Sequence, residues 1–214
     1  MAKSKRKNPS VKAASIIEST RLALILPDML PLQPRAFDGR KTLAPLANWV
    51  RWQRLDFNMQ HQQQTEWCWA AVATSLALYY DPGSTWTQCS VANAMLPGRD
   101  CCGADASGAC NAPMSLTNTL QTTIGHLVRK IPKAATFVEA QGEVDGGRPL
   151  GVRTAWGGDD NNAHLLMIIG YHPLFDMLGV DDPLYGKSDV DYTAFCTDYQ
   201  NAGGVWNRTY FTTP

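Results

Sequence analysis

Residues 67–80, WCWAAVATSLALYY, carry the strongest helical pattern in the chain. Trp69, Val72, Ala73, Leu76 and Tyr80 follow the i, i+3, i+4, i+7 spacing of a buried face. Thr65 is a candidate N-cap, and Asp81-Pro82-Gly83 stops the helix. A second helix is predicted over residues 115–124, after a Cys- and Gly-rich loop at 88–113. From Pro149 the texture changes to short apolar segments at 150–156, 164–171 and 177–180, divided by Gly, Asp and Asn turns. Residues 205–213 read as a further strand. Helical material followed by sheet predicts an α+β domain with a cleft between the two parts.

The 214 residues balance 19 Lys+Arg against 19 Asp+Glu, with pI near 6.9, which gives no global reason to expect a nucleic acid partner. No apolar run approaches the roughly 20 residues that span a bilayer. The charge is unevenly placed. Up to Arg21 there are six basic residues against Glu18 alone, which leaves 13 of the 19 basic and 18 of the 19 acidic residues, a net of −5, for the rest. A short amphipathic helix is predicted over 11–24, and Pro27, Pro31, Pro34 and Pro45 keep the following chain extended or turning. The expected division is a basic, proline-interrupted N-terminal arm at 1–47 and a compact domain at 48–214. The cationic start lacks the apolar core of a secretory signal: residues 22–26 are too short and are closed by Pro27 and Asp28. The expected location is therefore the cytoplasm, or outside it by a route that needs no such signal.

Cys68 falls in the first turn of the strong helix, where unpaired N–H groups and the helix dipole favour a thiolate. A cysteine simply packed in a core helix is the competing reading. His164 opens the apolar strand HLLMIIG, where an imidazole can meet a helix N-terminus across a cleft; His172, His126 and His61 are its competitors. Asp182, in GVDDPLYG, lies 18 residues further on, so two antiparallel strands can bring its carboxylate beside the imidazole and fix the tautomer. Asp181 would point the opposite way along such a strand. Gln62 precedes Cys68 by six residues and can join the Cys68 N–H as an oxyanion donor, with Gln60, Gln63 and Gln64 as rivals.

Taken together, Gln62 with Trp67-Cys68-Trp69-Ala70-Ala71, then Ala163-His164-Leu165-Leu166, then Val180-Asp181-Asp182-Pro183, resemble the papain-like cysteine peptidases of clan CA. The resemblance runs from about Phe57 to Pro214 and is closest to the bacterial avirulence-effector type, with staphopains and bacteriocin-leader peptidases as more distant relatives. It implies a two-lobed fold, with a helical lobe, then an antiparallel sheet lobe, and the active site in the cleft. It also implies Cys68 as nucleophile, His164 as base and acid, Asp182 as the residue orienting the imidazole, and Gln62 as oxyanion donor. Ala163 stands where many relatives have Gly, and Asp182 where papain has Asn. The expected activity is hydrolysis of a peptide or isopeptide bond in a polypeptide substrate, with no metal or organic cofactor. Acyl transfer on the same triad and a non-catalytic binding module are the alternatives. Peptidases of this clan often carry N-terminal segments that cross the cleft, so the arm is a candidate occupant of its own site.

Setting Cys68 aside leaves five cysteines. Cys89, Cys101, Cys102 and Cys110 allow three pairings, of which the strained vicinal one is discounted. Two then remain, each joining Cys89 and Cys110 to the two neighbours. Reduced thiols and a zinc cluster are the rival readings, although adjacent ligands suit tetrahedral zinc poorly.

Overall fold

The computed structural model describes residues 51–159 and 162–214. The helix expected over 11–24, and with it the arm at 1–47, lies outside the described residues. The helical first part holds α1 (Cys68–Tyr80), α2 (Gln88–Met95) and a short α3 (Leu116–Asn118) that runs on into a π turn (Thr119–Thr123). A brief strand, β1 (Gln53–Arg54), precedes them. Next come β2 (Leu127–Ile131), α4 (Phe137–Asp145), β3 (Leu150–Ala155), β4 (Ala163–His172) and β5 (Met177–Asp182). The chain ends with β6 (Gly186–Asp191), α5 (Tyr192–Thr197) and β7 (Val205–Thr212). The seven strands form one antiparallel sheet in the order β2-β7-β3-β4-β5-β6, with β1 added against β4. The fold is α+β.

β4 explains the architecture. Its residues alternate between two cores, as the period of two along a strand requires. Leu165, Met167 and Ile169 pack with Trp69, Val72 and Leu76 of α1. Leu166 and Ile168 pack with Val144 of α4, Phe195 of α5 and Trp206 of β7. A strand covered on both faces has no polar face, which is why its sequence reads as one continuous apolar run. α1 differs from the amphipathic reading in the same way. Every residue from Trp69 to Ala77 is buried, because the sheet covers one side and α2 and the π turn cover others.

Close approach of the backbones fixes one glycine. Where β1 crosses β4, a Cβ on Gly170 would lie 2.7 Å from the Gln53 carbonyl oxygen. Arg54 passes over that point to a bidentate contact with Asp189 at 2.6 and 2.7 Å, tying β1 to β6.

The expected loop at 88–113 instead begins with α2, whose start Thr87 and Ser90 fix with a capping box, and the segment is held covalently. Cys89 pairs with Cys102, and Cys101 with Cys110, one of the two pairings left open by the sequence. With separations of 13 and 9 residues, loop-closure entropy assigns each bond about 3 kcal/mol. Four cysteines so engaged leave no thiolates for zinc there. Cys68 and Cys196 remain as thiols.

Candidate active site

Cys68 is the first residue of α1. Trp67 occupies the N-cap position and makes no side-chain cap bond, so Thr65 is not the cap. Thr65 instead uses its hydroxyl to accept from Asn111 Nδ2 at 2.9 Å. The N–H groups of the first turn have no intrahelical acceptors, which leaves the Cys68 N–H available as a donor at the nucleophile. Both flanking tryptophans are buried, at 1% exposure each, and are fixed through their ring nitrogens. Trp67 Nε1 donates to the Cys110 carbonyl at 2.8 Å and Trp69 Nε1 to the Ala112 carbonyl at 3.0 Å. They brace Cys68, and Trp69 also contributes to a wall of the groove beside it.

His164 lies at the mouth of β4 and meets both other groups. Its Nε2 is 2.8 Å from Asp182 Oδ1, and Cys68 is near enough to act on the ring electrostatically. With Nε2 taken by Asp182, Nδ1 is the ring nitrogen left to serve Cys68. Burial, the largest influence, pulls the imidazole pKa down, but Asp182 and Cys68 outweigh it and push it up to about 9. Tyr185 stands edge-on to the ring, 6.2 Å between centroids.

The strand period decides between the two aspartates. Asp182 continues the Leu178, Val180 side of β5, the same face that carries Leu166 and Ile168 on β4, and this brings it to His164. Its Oδ1 also accepts from the Leu184 and Tyr185 N–H groups at 2.7 and 3.0 Å, and its Oδ2 from the Tyr199 hydroxyl at 2.8 Å. Burial alone would raise its pKa, but the imidazolium and these donors hold it below the ordinary carboxylate value. Asp181 faces the other way. It accepts from the Met59 N–H at 2.9 Å, and burial raises its pKa.

Gln62 is buried in the turn before α1, anchored by its N–H on the Pro183 carbonyl at 2.9 Å, next to Asp182. Its Nε2 donates to the carbonyls of Gln64 and Thr65 at 3.0 and 2.7 Å, while its Oε1 is buried without a hydrogen-bond partner. Reversing the amide would set its oxygen against two carbonyls, so this orientation is the consistent one. Of the rival glutamines, Gln60 accepts through Oε1 from Gln88 Nε2 at 3.3 Å, and Gln63 and Gln64 line a hollow beside His61. The Gln60 N–H donates to Ser75 of α1, and the Gln63 N–H to Gln88 of α2. His172 packs between Trp52 and Phe175, and His126 against Tyr80, so neither joins the cluster. His61 lines a separate shallow hollow with Gln62 and Leu184.

A groove of about 260 Å³ opens at Cys68, walled by Trp69, Pro113, Met114, Ala163 and Leu165. Glu66 and Arg153 add charge to it, and Arg153 Nη1 donates to Asn207 Oδ1 at 2.9 Å. A larger hollow, about 500 Å³, lies beyond Tyr199 and includes neither Cys68 nor His164. Sequence reasoning did not find Tyr199, Asn111 or Met114. Tyr199 follows a helix, α5, that the sequence pattern did not reveal, and Asn111 sits in a loop whose cysteines dominated its reading. Among the described residues no cluster of three or more His, Cys, Asp or Glu side chains could hold a metal ion, and no helix is long and apolar enough to cross a membrane.

A buried helix bearing a cysteine at its first residue, set against an antiparallel sheet bearing the histidine, defines a papain-like cysteine peptidase, a hydrolase. The chain belongs to the Peptidase_C39 like family, whose model matches residues 54–214. Among solved structures it is similar to the peptidase domain of Streptococcus ComA, a bi-functional ABC transporter involved in a quorum sensing pathway. The two share 16% identity and a TM-score of 0.49, over 74% of this chain and 98% of that one. A comparison with curated proteins finds no match.

Proposed function

We propose that Cys68, His164 and Asp182 hydrolyse a peptide or isopeptide bond in a polypeptide through an acyl-enzyme. The observation that carries the reading is the His164 imidazole, bonded through Nε2 to Asp182 and raised in pKa by Asp182 and the neighbouring Cys68. His164 takes the thiol proton, and Cys68 Sγ attacks the scissile carbonyl carbon. The oxyanion is held by the Cys68 N–H and by Gln62, whose amide exchanges one of its loop carbonyls for the substrate oxygen. His164 Nδ1 then gives its proton to the leaving amine, which departs and leaves a thioester on Cys68. Water, deprotonated by His164, attacks the thioester and regenerates the thiol. The groove beside Cys68 receives the acyl part of the substrate, and its Met114, Pro113 and Leu165 walls favour an apolar side chain.

Profiling a peptide library with wild type and Cys68→Ala tests the reading. Cleavage that vanishes in the variant supports it. Intact peptides with both proteins, together with no His164-dependent labelling of Cys68 by a peptidyl electrophile, would refute it. An amine-capped product in place of a hydrolysed one would move the assignment to acyl transfer.

A further inference from the structure

The Cys-rich insert does more than stabilise the fold. Three consecutive residues of it hold the turn that carries the nucleophile. The Cys110 carbonyl accepts from Trp67 Nε1 at 2.8 Å. Asn111 clamps the two residues before that, accepting from the Glu66 N–H at 2.9 Å and donating to Thr65 Oγ1 at 2.9 Å. The Ala112 carbonyl accepts from Trp69 Nε1 at 3.0 Å. Residues 65, 66, 67 and 69 are thereby fastened around Cys68 by one short strap. The next two residues of the strap, Pro113 and Met114, form a wall of the groove.

The strap has little regular structure of its own; residues 110–114 lie outside any helix or strand. Its upstream anchor is the disulfide from Cys110 to Cys101, both fully buried. Cys101 is in turn tied to α2, its N–H donating to Asn93 Oδ1 at 2.6 Å. The second disulfide, Cys89–Cys102, is different in kind: Cys102 is exposed, and neither of its cysteines takes part in the bonds by which the strap holds the turn at Cys68.

We propose that the Cys101–Cys110 disulfide and Asn111 are positioning elements of the active site, holding Cys68 in line with His164, and that reductive opening of this bond disables the enzyme. The inference rests on the peptidase reading above. Opening requires a dithiol. It supplies two electrons and two protons, the S–S bond breaks to two thiols, and the dithiol closes to its own disulfide. The Cys110 carbonyl and Asn111 then gain the freedom of a loop of more than ten residues, and the hydrogen bonds to Trp67, Glu66 and Thr65 lose their fixed geometry. An attacking sulfur displaced by about 1 Å is enough to lower a rate about a hundredfold. The exposed bond opens first, since exchange needs access to sulfur. Mild reduction therefore keeps Cys68 free while sparing the buried bond.

The test uses the full chain and two readouts. One is kcat on a peptide found by the library. The other is the rate at which iodoacetamide alkylates Cys68, mapped by peptide mass spectrometry apart from Cys196, at about pH 6, where an ordinary thiol is mostly protonated. Expected are losses of tenfold or more in both for the double variant Cys101→Ala with Cys110→Ala and for Asn111→Ala, with KM changing less than kcat. Cys89→Ala with Cys102→Ala should stay within about twofold. In wild type titrated with dithiothreitol, activity should disappear in step with free Cys101 and Cys110, not with free Cys89 and Cys102. Full activity in protein whose Cys101 and Cys110 are free would overturn the proposal. If the double variant does not melt cooperatively, Asn111→Ala decides, and wild-type rates there reject the strap. A wild-type Cys68 no more reactive than a free thiol would instead count against the peptidase reading itself.

Discussion

Asp182→Asn separates the charge of the proposed third triad member from its geometry. Oδ1 accepts from His164, Leu184 and Tyr185, whereas Oδ2 accepts from the Tyr199 hydroxyl. An asparagine with its oxygen in the Oδ1 place keeps the first three bonds. Its NH₂ then faces Tyr199, whose hydroxyl turns from donor to acceptor. The side chain stays put and the negative charge is lost. The His164 pKa of about 9, against an ordinary 6.5, corresponds to about 3 kcal/mol favouring the imidazolium. Asp182 and Cys68 share that sum, and an opposite charge at this range moves an imidazole by roughly one to three pH units, ~1–4 kcal/mol. The variant should therefore fold with a nearly unchanged melting profile, and its alkaline limb of kcat/KM should move from near pH 9 down to between about 6 and 8. At about pH 8 this amounts to a loss between about twofold and ninetyfold, and at about pH 6 to no more than about twofold. The assay is kcat/KM against pH for wild type, Asp182→Asn and Asp181→Asn, with the His164 midpoint followed by NMR. Asp181→Asn should leave the limb in place, since that carboxylate serves the Met59 N–H. A limb that stays near pH 9 in Asp182→Asn, or a loss equal at every pH, would refute the electrostatic argument. A larger effect at Asp181 would refute the strand-facing assignment.

The same raised imidazole has a consequence for stability. Because the folded pKa lies above the unfolded value, the contribution is fully present below about pH 6.5 and is lost as pH rises through about 9; melting temperature should fall across that window in wild type and much less in His164→Gln. Gln62→Ala should lower kcat roughly tenfold to a hundredfold with little change in KM, as removal of one oxyanion donor does, and a pure KM effect would show that the side chain serves only its loop. Deleting residues 1–47 should leave a folded domain with equal or higher peptidase activity. If the arm is held by charge in the cleft, the full-length protein should gain on the truncated one as salt rises, and an unfolded truncation would place the arm in the fold.

The residues that the structure gathers at the candidate site were more legible than the fold around them. Cys68, His164 and Asp182 stood out because each sits at the end of an element whose pattern is strong, an apolar helix and two apolar strands, and because together they resemble a family motif. Strand alternation said only that Asp181 and Asp182 point opposite ways; the choice of Asp182 followed from the resemblance to the peptidase family. β6 escaped because its residues are almost all exposed, so no buried face marks it. α4 was missed because its apolar residues are few, although its start carries a capping box of Thr136 and Glu139 that could have revealed it. Thr65 was misread as a cap because a threonine before a helix has two uses. Here it is an acceptor for Asn111, a partner 46 residues away that no local pattern announces.

The odd number of thiols left by the sequence finds a physical answer in the sheet. A chain that keeps two disulfides must also keep its nucleophile reduced, and any accessible second thiol threatens it. Cys89, Cys101, Cys102 and Cys110 satisfy one another. That leaves Cys196 as the one thiol among the described residues able to capture Cys68 within the chain. Cys68 packs against the core on the α1 face of the sheet, and Cys196 against the core on the opposite face. A disulfide needs Cα atoms within about 7 Å, and stacked layers sit about 10 Å apart with a filled strand layer between them here. Capture would require the sheet to open. Burial raises the Cys196 pKa as well, which lowers its thiolate fraction and its rate of exchange. On the proposed function, the fold lets disulfide bonding and thiol catalysis coexist in one chain, with the β4 layer as the partition between Cys68 and the thiol that would quench it.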